Sequence, residues 1–508
     1  MGISTGASRS TRGRRSCRGS NGTRPSPCNF SPRKDGDGSL RKSKARIIKT
    51  AVVAIGLAVV TPVAAKAENL ADALADAYKN SGLIAQNRAL LRAADEDVAS
   101  IVSELRPIIN WTADATRNFG KTRTNGIRQP ISSTTANIGV SLDLLLYDFG
   151  RTPLRIEAAK ETVLATREGL RSVEQQVLFR AIQAYMNLRR NSQFVSLREN
   201  NLRLLQQELR AAQDRFEVGE VTRTDVAQAE AALALARSGL ATARGNLAQA
   251  IEEFRAAVGR APGQLRAPQR LPALKRGAEG AKGLALRNHP DALQVRHEVS
   301  SSELTVKAAA AAMKPTIGLT AGLRVGESVT DSDNSRSGSV GVQMSGPIYQ
   351  GGRLSSAKRR AMAVRDQTRA RLLTTNLRLA QDVGNAYATL EAARASRTAN
   401  QEAVRAARVA FRGVREEAKL GARTTLDVLD AEQNLLDART NLISAEVDVY
   451  IAAYAVLGAI GQLTAKDLNL NVPTYDPAAY YNMVKTAPAE MSAQGRKLDR
   501  VLKALGKQ

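Results

Sequence analysis

"VGEVTRTDVAQAEAALALAR", residues Val218 to Arg237, returns later in the chain as "LGARTTLDVLDAEQNLLDAR", residues Leu420 to Arg439. Aligned without a gap at an offset of 202, Gly219 meets Gly421, Thr222 meets Thr424, Asp225 meets Asp427 and Glu230 meets Glu432. The glycine in each copy is the residue type that ends a helix, because it enters the left-handed conformation at little cost. The Thr-x-x-Asp that follows is a capping box with Asp in the usual Glu/Gln place, and it starts the next helix. Each copy therefore reads as the turn at the tip of a helical hairpin.

The same offset relates Tyr147, Gly150 and Arg151 to Tyr349, Gly352 and Arg353, and Tyr185 to Tyr387. Upstream, an offset of 208 relates Asn80 to Asn288 and Pro107 to Pro315. The chain is thus an internal duplication, about residues 70–260 and 280–462. The six additional residues of the first copy fall between Pro107 and Tyr147, which marks an exposed loop tip there.

Around that loop the hydrophobic period is two. Ile109, Trp111 and Ala113 alternate with polar neighbours, as do Ile138, Val140, Leu142, Leu144 and Leu146. In the second copy Ile317, Leu319, Ala321 and Leu323 alternate with glycine and threonine, and Val340, Val342 and Met344 with Gly341, Gln343 and Ser345. Four strands of about ten residues follow, near 107–116, 136–147, 315–326 and 338–348, in two hairpins. One reading buries a single apolar face on a small core; the other makes a membrane wall, apolar outward and polar toward a lumen.

The rest is helical. No proline interrupts 154–261 or 348–472, and long helices are expected near 151–218, 222–260, 353–419 and 424–461. At 1.5 Å per residue the longest would reach about 95–100 Å. Gly150, and Gly351 with Gly352 in "YQGGR", stand where strand bends into helix. The returning helices carry Val226, Ala229, Leu233, Ala236, Leu240 and Ala243, matched by Val428, Ala431, Leu435, Ala438, Leu442 and Ala445. This is a heptad seam, large at one position and Ala at the other, suited to close knobs-into-holes packing.

The whole chain of 508 residues has a formal net charge of +26. Residues 1–67 hold 14 Lys or Arg against Asp35 and Asp37, so nearly half of the surplus sits at the start. The remainder is interleaved with acidic residues and lacks an aromatic-plus-basic patch, so no nucleic-acid partner is expected. "LRKSKARIIKTAVVAIGLAVVTPVAAKAE" (Leu40 to Glu68) has the layout of a secretory signal peptide cleaved after Ala67. Its apolar run is too short to span a bilayer as a helix. Signal peptide is expected at 41–67, behind an unstructured or untranslated extension at 1–40. Cys17 and Cys28 both precede the cleavage site, which leaves no thiol for a disulfide, a nucleophile or a metal in the mature chain.

Four lipid-compatible strands cannot close on themselves, and hydrocarbon does not tolerate unpaired strand edges. The chain must therefore associate with copies of itself.

On the duplicated hairpin-and-helix layout, on "GPIYQGGR" (Gly346 to Arg353) and on "GARTTLDVLDAEQNLLDAR" (Gly421 to Arg439), the sequence resembles the TolC family of outer-membrane efflux and secretion proteins. The resemblance covers nearly all of residues 70–472 and leaves 473–508 as a C-terminal tail. It implies a mainly α fold with a membrane β-barrel part. The protomer would be a homotrimer subunit, giving one 12-stranded barrel that continues into an α-helical barrel. It further implies an outer-membrane location with a long periplasmic extension. Its partners would be outer-membrane lipid, a periplasmic adaptor protein and an inner-membrane RND or ABC transporter, for export of drugs or secreted proteins.

The differences between the two copies carry site information. Thr222, Thr424, Asp225 and Asp427 are common to both, so capping accounts for them; Asp430 has Gln228 as its counterpart. Asp427 and Asp430 share one helical face. In the family such residues form stacked acidic rings that narrow the periplasmic mouth and select cations. Arg423, opposite Val221 of the first copy, matches the family arginine that ties helix tips together in the closed state, with Asp225 as partner and Thr224 beside it. Ala418 departs from the family, which often has Tyr there as an extra link.

Two other classes remain as alternatives. An enzyme would need chemistry that the mature chain lacks: its two histidines, His289 and His297, are eight apart, and no phosphate loop or Ser–His–Asp order occurs. Neither a metal nor a cofactor is expected. A periplasmic helical adaptor or scaffold shares the long hairpins, but it lacks the paired β-hairpins and the Asp427/Asp430 pair.

Overall fold

The structure is a computed structural model that describes residues 68–124, 126–268, 271–274, 277–329, 334–473 and 475–505. The extension and signal peptide expected within 1–67 lie outside the described residues. In order, the elements are α1 (Leu70–Asn80), α2 (Gly82–Ser103), β1 (Ile108–Thr124), β2 (Ile127–Tyr147), α3 (Arg151–Glu217) and α4 (Arg223–Val258). The second half repeats them as α5 (Ala278–Asn288), α6 (Pro290–Ala311), β3 (Thr316–Ser328), β4 (Asn334–Ser345), α7 (Arg353–Lys419) and α8 (Thr425–Ile460). Two helices of the tail follow, α9 (Pro477–Val484) and α10 (Ala493–Leu505).

The four strands form one antiparallel sheet in the order β1-β2-β3-β4, so β1 and β4 each keep one unpaired edge. Directly opposed residues share a face, and the rows Trp111↔Val140↔Leu323 and Leu142↔Ala321↔Val340 set apolar beside apolar. That face is uncovered: Trp111 is 74% exposed, Leu323 70% and Val340 79%. The opposite face carries Thr112, Asp114, Asn137, Gly139 and Arg324. There Asn137 donates to Asp114 at 2.8 Å, and Arg324 lies 3.7 Å from the same carboxylate. An apolar face open to the outside backed by a polar one is the arrangement of a membrane strand wall, not of a sheet over a small core.

Two details depart from the sequence reading. The extra residues of the first copy do not make a loop. β1 and β2 run 17 and 21 residues and meet at a tight turn containing Gly126, whereas β3 and β4 run 13 and 12. The added stretch is paired strand, Thr116↔Thr135 out to Thr124↔Ile127. Its residues are Thr, Ser, Arg, Asn and Lys with few apolar ones, so backbone pairing there proceeds without an apolar period to announce it. The alternation also breaks before its expected end. A bulge between Leu145 and Tyr147 leaves Leu146 over and hands the apolar face from Leu144 to Tyr147.

The sheet continues into a layer of helices. α3 and α7 are each 67 residues long, which is about 100 Å of helix. Next to the sheet, α2 and α6 pack along them; beyond the middle, α4 and α8 take over. α8 packs between α7 and α3, and α4 packs on α3 and touches α8 where Leu429 meets Leu233 and Ala236. The main core sits at mid-length. Tyr185, Ile182 and Leu178 of α3, Phe254 of α4 and Leu74 of α1 are all at most 2% exposed there. Tyr185 donates its hydroxyl to the carbonyls of Glu68 and Arg266, which fastens the start of the described chain to that core.

The seam residues Ala229, Leu233, Ala236, Leu240 and Ala243 are buried, as are Val428, Leu435, Ala438 and Ala445. By contrast α7 buries few of its side chains, and Leu373, Leu377 and Val409 are each more than 60% exposed. This 67-residue helix therefore leaves one apolar edge uncovered.

Candidate functional site

At the far end from the sheet, both tips are built by the same local chemistry. α3 ends at Val218, after which Gly219 takes φ +80°, and the N–H of Glu220 reaches back to the carbonyl of Arg215 at 2.9 Å. α7 ends at Leu420, Gly421 takes φ +77°, and Ala422 N–H reaches Glu417 O at 3.0 Å. These are Schellman closures, in which a residue with a Cβ would be strained at the glycine position. The returning helices begin with complete capping boxes. Asp225 Oδ2 accepts from Thr222 N at 2.9 Å while Thr222 Oγ1 accepts from Asp225 N at 3.3 Å. Asp427 and Thr424 repeat this at 2.9 and 3.2 Å.

These bonds set the charge state of the tips. The Thr424 backbone and hydroxyl donors hold the Asp427 carboxyl below the usual carboxylate range, with Arg423 adding to the effect. Asp225 is lowered in the same way by Thr222. Asp430 stands one turn above Asp427 and is exposed, as is Thr224 on the other tip.

Arg423 does not meet Asp225 within a protomer. Its Nε donates to Glu417 Oε2 at 2.9 Å, at the end of its own helix pair, while Asp225 is engaged by Thr222. The expected Arg423–Asp225 latch is therefore not formed inside one chain. Ala418 is buried among Phe411, Val428 and Leu435 and lines a cleft that Ala212 and Arg215 of α3 close from the other tip.

Two links between the halves were not legible in the motifs. Glu208 of α3 pairs with Arg415 of α7 at 2.9 Å, and buried Asn201 of α3 donates to buried Glu432 of α8 at 3.2 Å. Burial raises the Glu432 carboxyl, and the Asn201 bond partly offsets it. The one sequence signal is that Glu432 recurs at Glu230, yet Glu230 is exposed.

At the other end, Gly150 (φ +86°), Gly351 (φ +57°) and Gly352 (φ +83°) make the bends from strand to helix. The first bend is braced by Asp148, whose carboxylate accepts from Gly150 N and Thr152 N; its second-copy counterpart is Gln350. Tyr147 and Phe149 rings lie 4.8 Å apart there, with the Lys314 ammonium over Phe149, an amphipathic group of the kind found where a membrane meets water.

The histidines have structural partners: His289 caps α6 through Asp291 N, and His297 Nδ1 lies 2.7 Å from Glu161. Among the described residues no group of His, Cys, Asp and Glu is gathered to hold a metal ion.

The family model for outer membrane efflux proteins matches residues 73–260 and 282–462, the two copies of the duplication. The outer membrane efflux protein BepC of Brucella suis is 38% identical over 446 residues, covering 87% of this chain and 96% of that protein. The outer membrane protein TolC of Escherichia coli is 26% identical over 427 residues, covering 79% and 84%. Among solved structures, the Campylobacter jejuni CmeC outer membrane channel has the same fold, with a TM-score of 0.70 at 17% identity over 82% of this chain and 89% of that one. The chain belongs to the outer membrane efflux protein family, whose members are outer-membrane channels and not enzymes.

Proposed function

We propose that three copies of the chain join β4 of one sheet to β1 of the next, closing one barrel of twelve strands from three sheets of four. The helical layers then close below it into a tube. The chain is an outer-membrane exit duct for efflux or secretion. The observation that carries the reading is the open-edged sheet with an exposed apolar face, continuous with helices of 67 residues that also leave an apolar edge uncovered. An open edge in hydrocarbon leaves each unpaired N–H and C=O at a cost of several kcal/mol, so closure by association is required.

At the mouth, unequal tips divide the work. Asp427 and Asp430 of three chains form two acidic rings that attract cations into a narrow passage. Arg423 braces the resting mouth through Asp225 or Thr224 across the boundary with the next chain, in exchange with Glu417 of its own chain. A periplasmic adaptor and an inner-membrane RND or ABC transporter supply drugs or secreted proteins to this duct. Purified protein in planar bilayers should give discrete, cation-preferring conductance steps, and crosslinking in cells should recover an adaptor and a transporter. Protein that inserts in lipid but conducts nothing would contradict the duct.

A further inference from the structure

The last described helix, α10, lies outside the two duplicated copies. α10 is strongly one-sided. On its inner side Leu498 is buried against Ala99 of α2 and Tyr480 and Val484 of α9. Its outer side carries Arg496, Lys497, Arg500 and Lys503, all exposed, with Asp499 the one carboxylate in that helix. Among the described residues none of these four cations meets a carboxylate. Exposed Met491 and Leu502 flank the basic surface.

The position of this helix gives the cations a meaning. Arg106 donates to the carbonyls of Thr486 and Ala487, in the link between α9 and α10, and Arg106 is two residues before β1 begins. Gln494 of α10 donates to Met483 O at 2.7 Å, so the first turn of α10 is held at that same link. The uncovered apolar face starts just beyond, with Ile109 66% and Trp111 74% exposed. A surface of unpaired cations thus sits where the helical tube meets the membrane-facing sheet.

We propose that α10 is an interfacial helix that binds the headgroups of anionic phospholipids in the periplasmic leaflet of the outer membrane. The proposal rests on the reading of the sheet as membrane-spanning. Charge is complementary, four cations to lipid phosphates, and the surface is continuous with the lipid-facing wall. Basic side chains near an anionic leaflet each add attraction that acts over about a Debye length, and the flanking apolar residues can dip into the interface. Met491 and Leu502 would supply that contact.

The test uses the full assembled protein, delipidated in mild detergent and titrated with phosphatidylglycerol or phosphatidylcholine while adducts are counted by native mass spectrometry. Wild type should hold phosphatidylglycerol about tenfold or more tightly than phosphatidylcholine. The variant Arg496→Gln, Lys497→Gln, Arg500→Gln, Lys503→Gln should stay assembled and lose that preference. Equal binding of the two lipids by wild type, or an undiminished preference in the variant, overturns the proposal. So does a variant that keeps its lipid preference but no longer sediments with purified peptidoglycan, since the partner would then be the cell wall. Should the fourfold variant not assemble, raising salt from about 0.05 to 0.5 M must erase the wild-type preference, and its persistence overturns the proposal. A protein that remains soluble and assembled without detergent would instead defeat the spanning reading on which this one rests.

Discussion

Arg423 and Glu417 form an ion pair of 2.9 Å across the turn of a single helical tip, and both are about half exposed. The arginine that the family resemblance directs toward the neighbouring tip is thus held at home by a carboxylate of its own chain. Exposed pairs of this kind contribute little to folding, so their effect is on which state the mouth occupies. Arg423→Ser should raise single-channel conductance in planar bilayers and leave the assembly and its cation preference intact. Glu417→Gln frees the guanidinium for the neighbouring chain and should leave conductance at or below wild type. Equal increases from both substitutions would show that the intrachain pair itself is the brace.

The acidic rings are tested with an internal control supplied by the duplication. Asp427→Ala with Asp430→Ala should weaken cation preference and remove block by multivalent cations. Asp225→Ala breaks an equivalent capping box on the other tip, with the same Thr partner geometry. It should lower thermal stability slightly, as loss of a cap does, without changing selectivity. Unchanged selectivity in the double variant would reduce Asp427 and Asp430 to helix capping and solvation.

How much of this was legible in the sequence differs from one end of the molecule to the other. The tips were written in side-chain chemistry. Glycine followed by Thr-x-x-Asp dictates a closure and a cap, and Gly219 and Gly421 stand at those turns with positive φ. The apolar rows of the sheet were visible because one face meets hydrocarbon. The outer parts of β1 and β2 were not visible, because Thr116 to Thr124 pairs through its backbone with no lipid-imposed period. The pairing of Arg423 with Glu417 was not visible, because a rotamer choice leaves no mark on residue spacing. The docking of the tail was silent for a similar reason. Tyr475 and Tyr481 stack against Arg88 and Arg167, contacts that follow no helical or strand period.

That tail covers an unusual carboxyl. Asp95 of α2 is fully buried, and neither of its oxygens meets a donor among the described residues. Burial pushes its pKa up to about 6, against the pull of Arg167 and with a smaller push from Glu96. Tyr475 of the tail feels this carboxyl together with Arg92, Arg88 and Arg167. Because the folded pKa lies above the unfolded one, Asp95 adds no penalty below about pH 4, where both states are protonated. Between about pH 4 and 6 the unfolded carboxyl ionises while the folded one keeps its proton, so stability falls across that window and stays lowered above it, by roughly 3 kcal/mol. Asp95→Asn should therefore stabilise the protein at pH 7.5 and not at pH 4, which melting curves at the two pH values will show. Equal shifts at both would mean that ionisation is not the cause.

At mid-length, Glu68 has 2% of its side chain exposed. Its carboxylate accepts from the Arg260 guanidinium at 2.7 Å and from Gly263 N at 2.9 Å. Glu68→Ala removes the acceptor for an N–H and one of the two carboxylates on Arg260, the other being Asp76. A loss of about 2–4 kcal/mol is expected, read as a lower dissociation temperature of the detergent-solubilised assembly. Glu68→Gln should recover part of it, since the amide oxygen still accepts. A melting temperature unchanged by Glu68→Ala would show that the start of the described chain is held by Tyr185 and the backbone pairing alone.

The claim on which the rest depends is that the four-stranded sheet closes only by association. The most direct measurement is the mass of the mature protein in mild detergent, by native mass spectrometry or light scattering corrected for bound detergent. The account predicts three copies per particle, unchanged by reductant because Cys17 and Cys28 precede the expected cleavage site. A stable particle of one chain that inserts into lipid bilayers would contradict it.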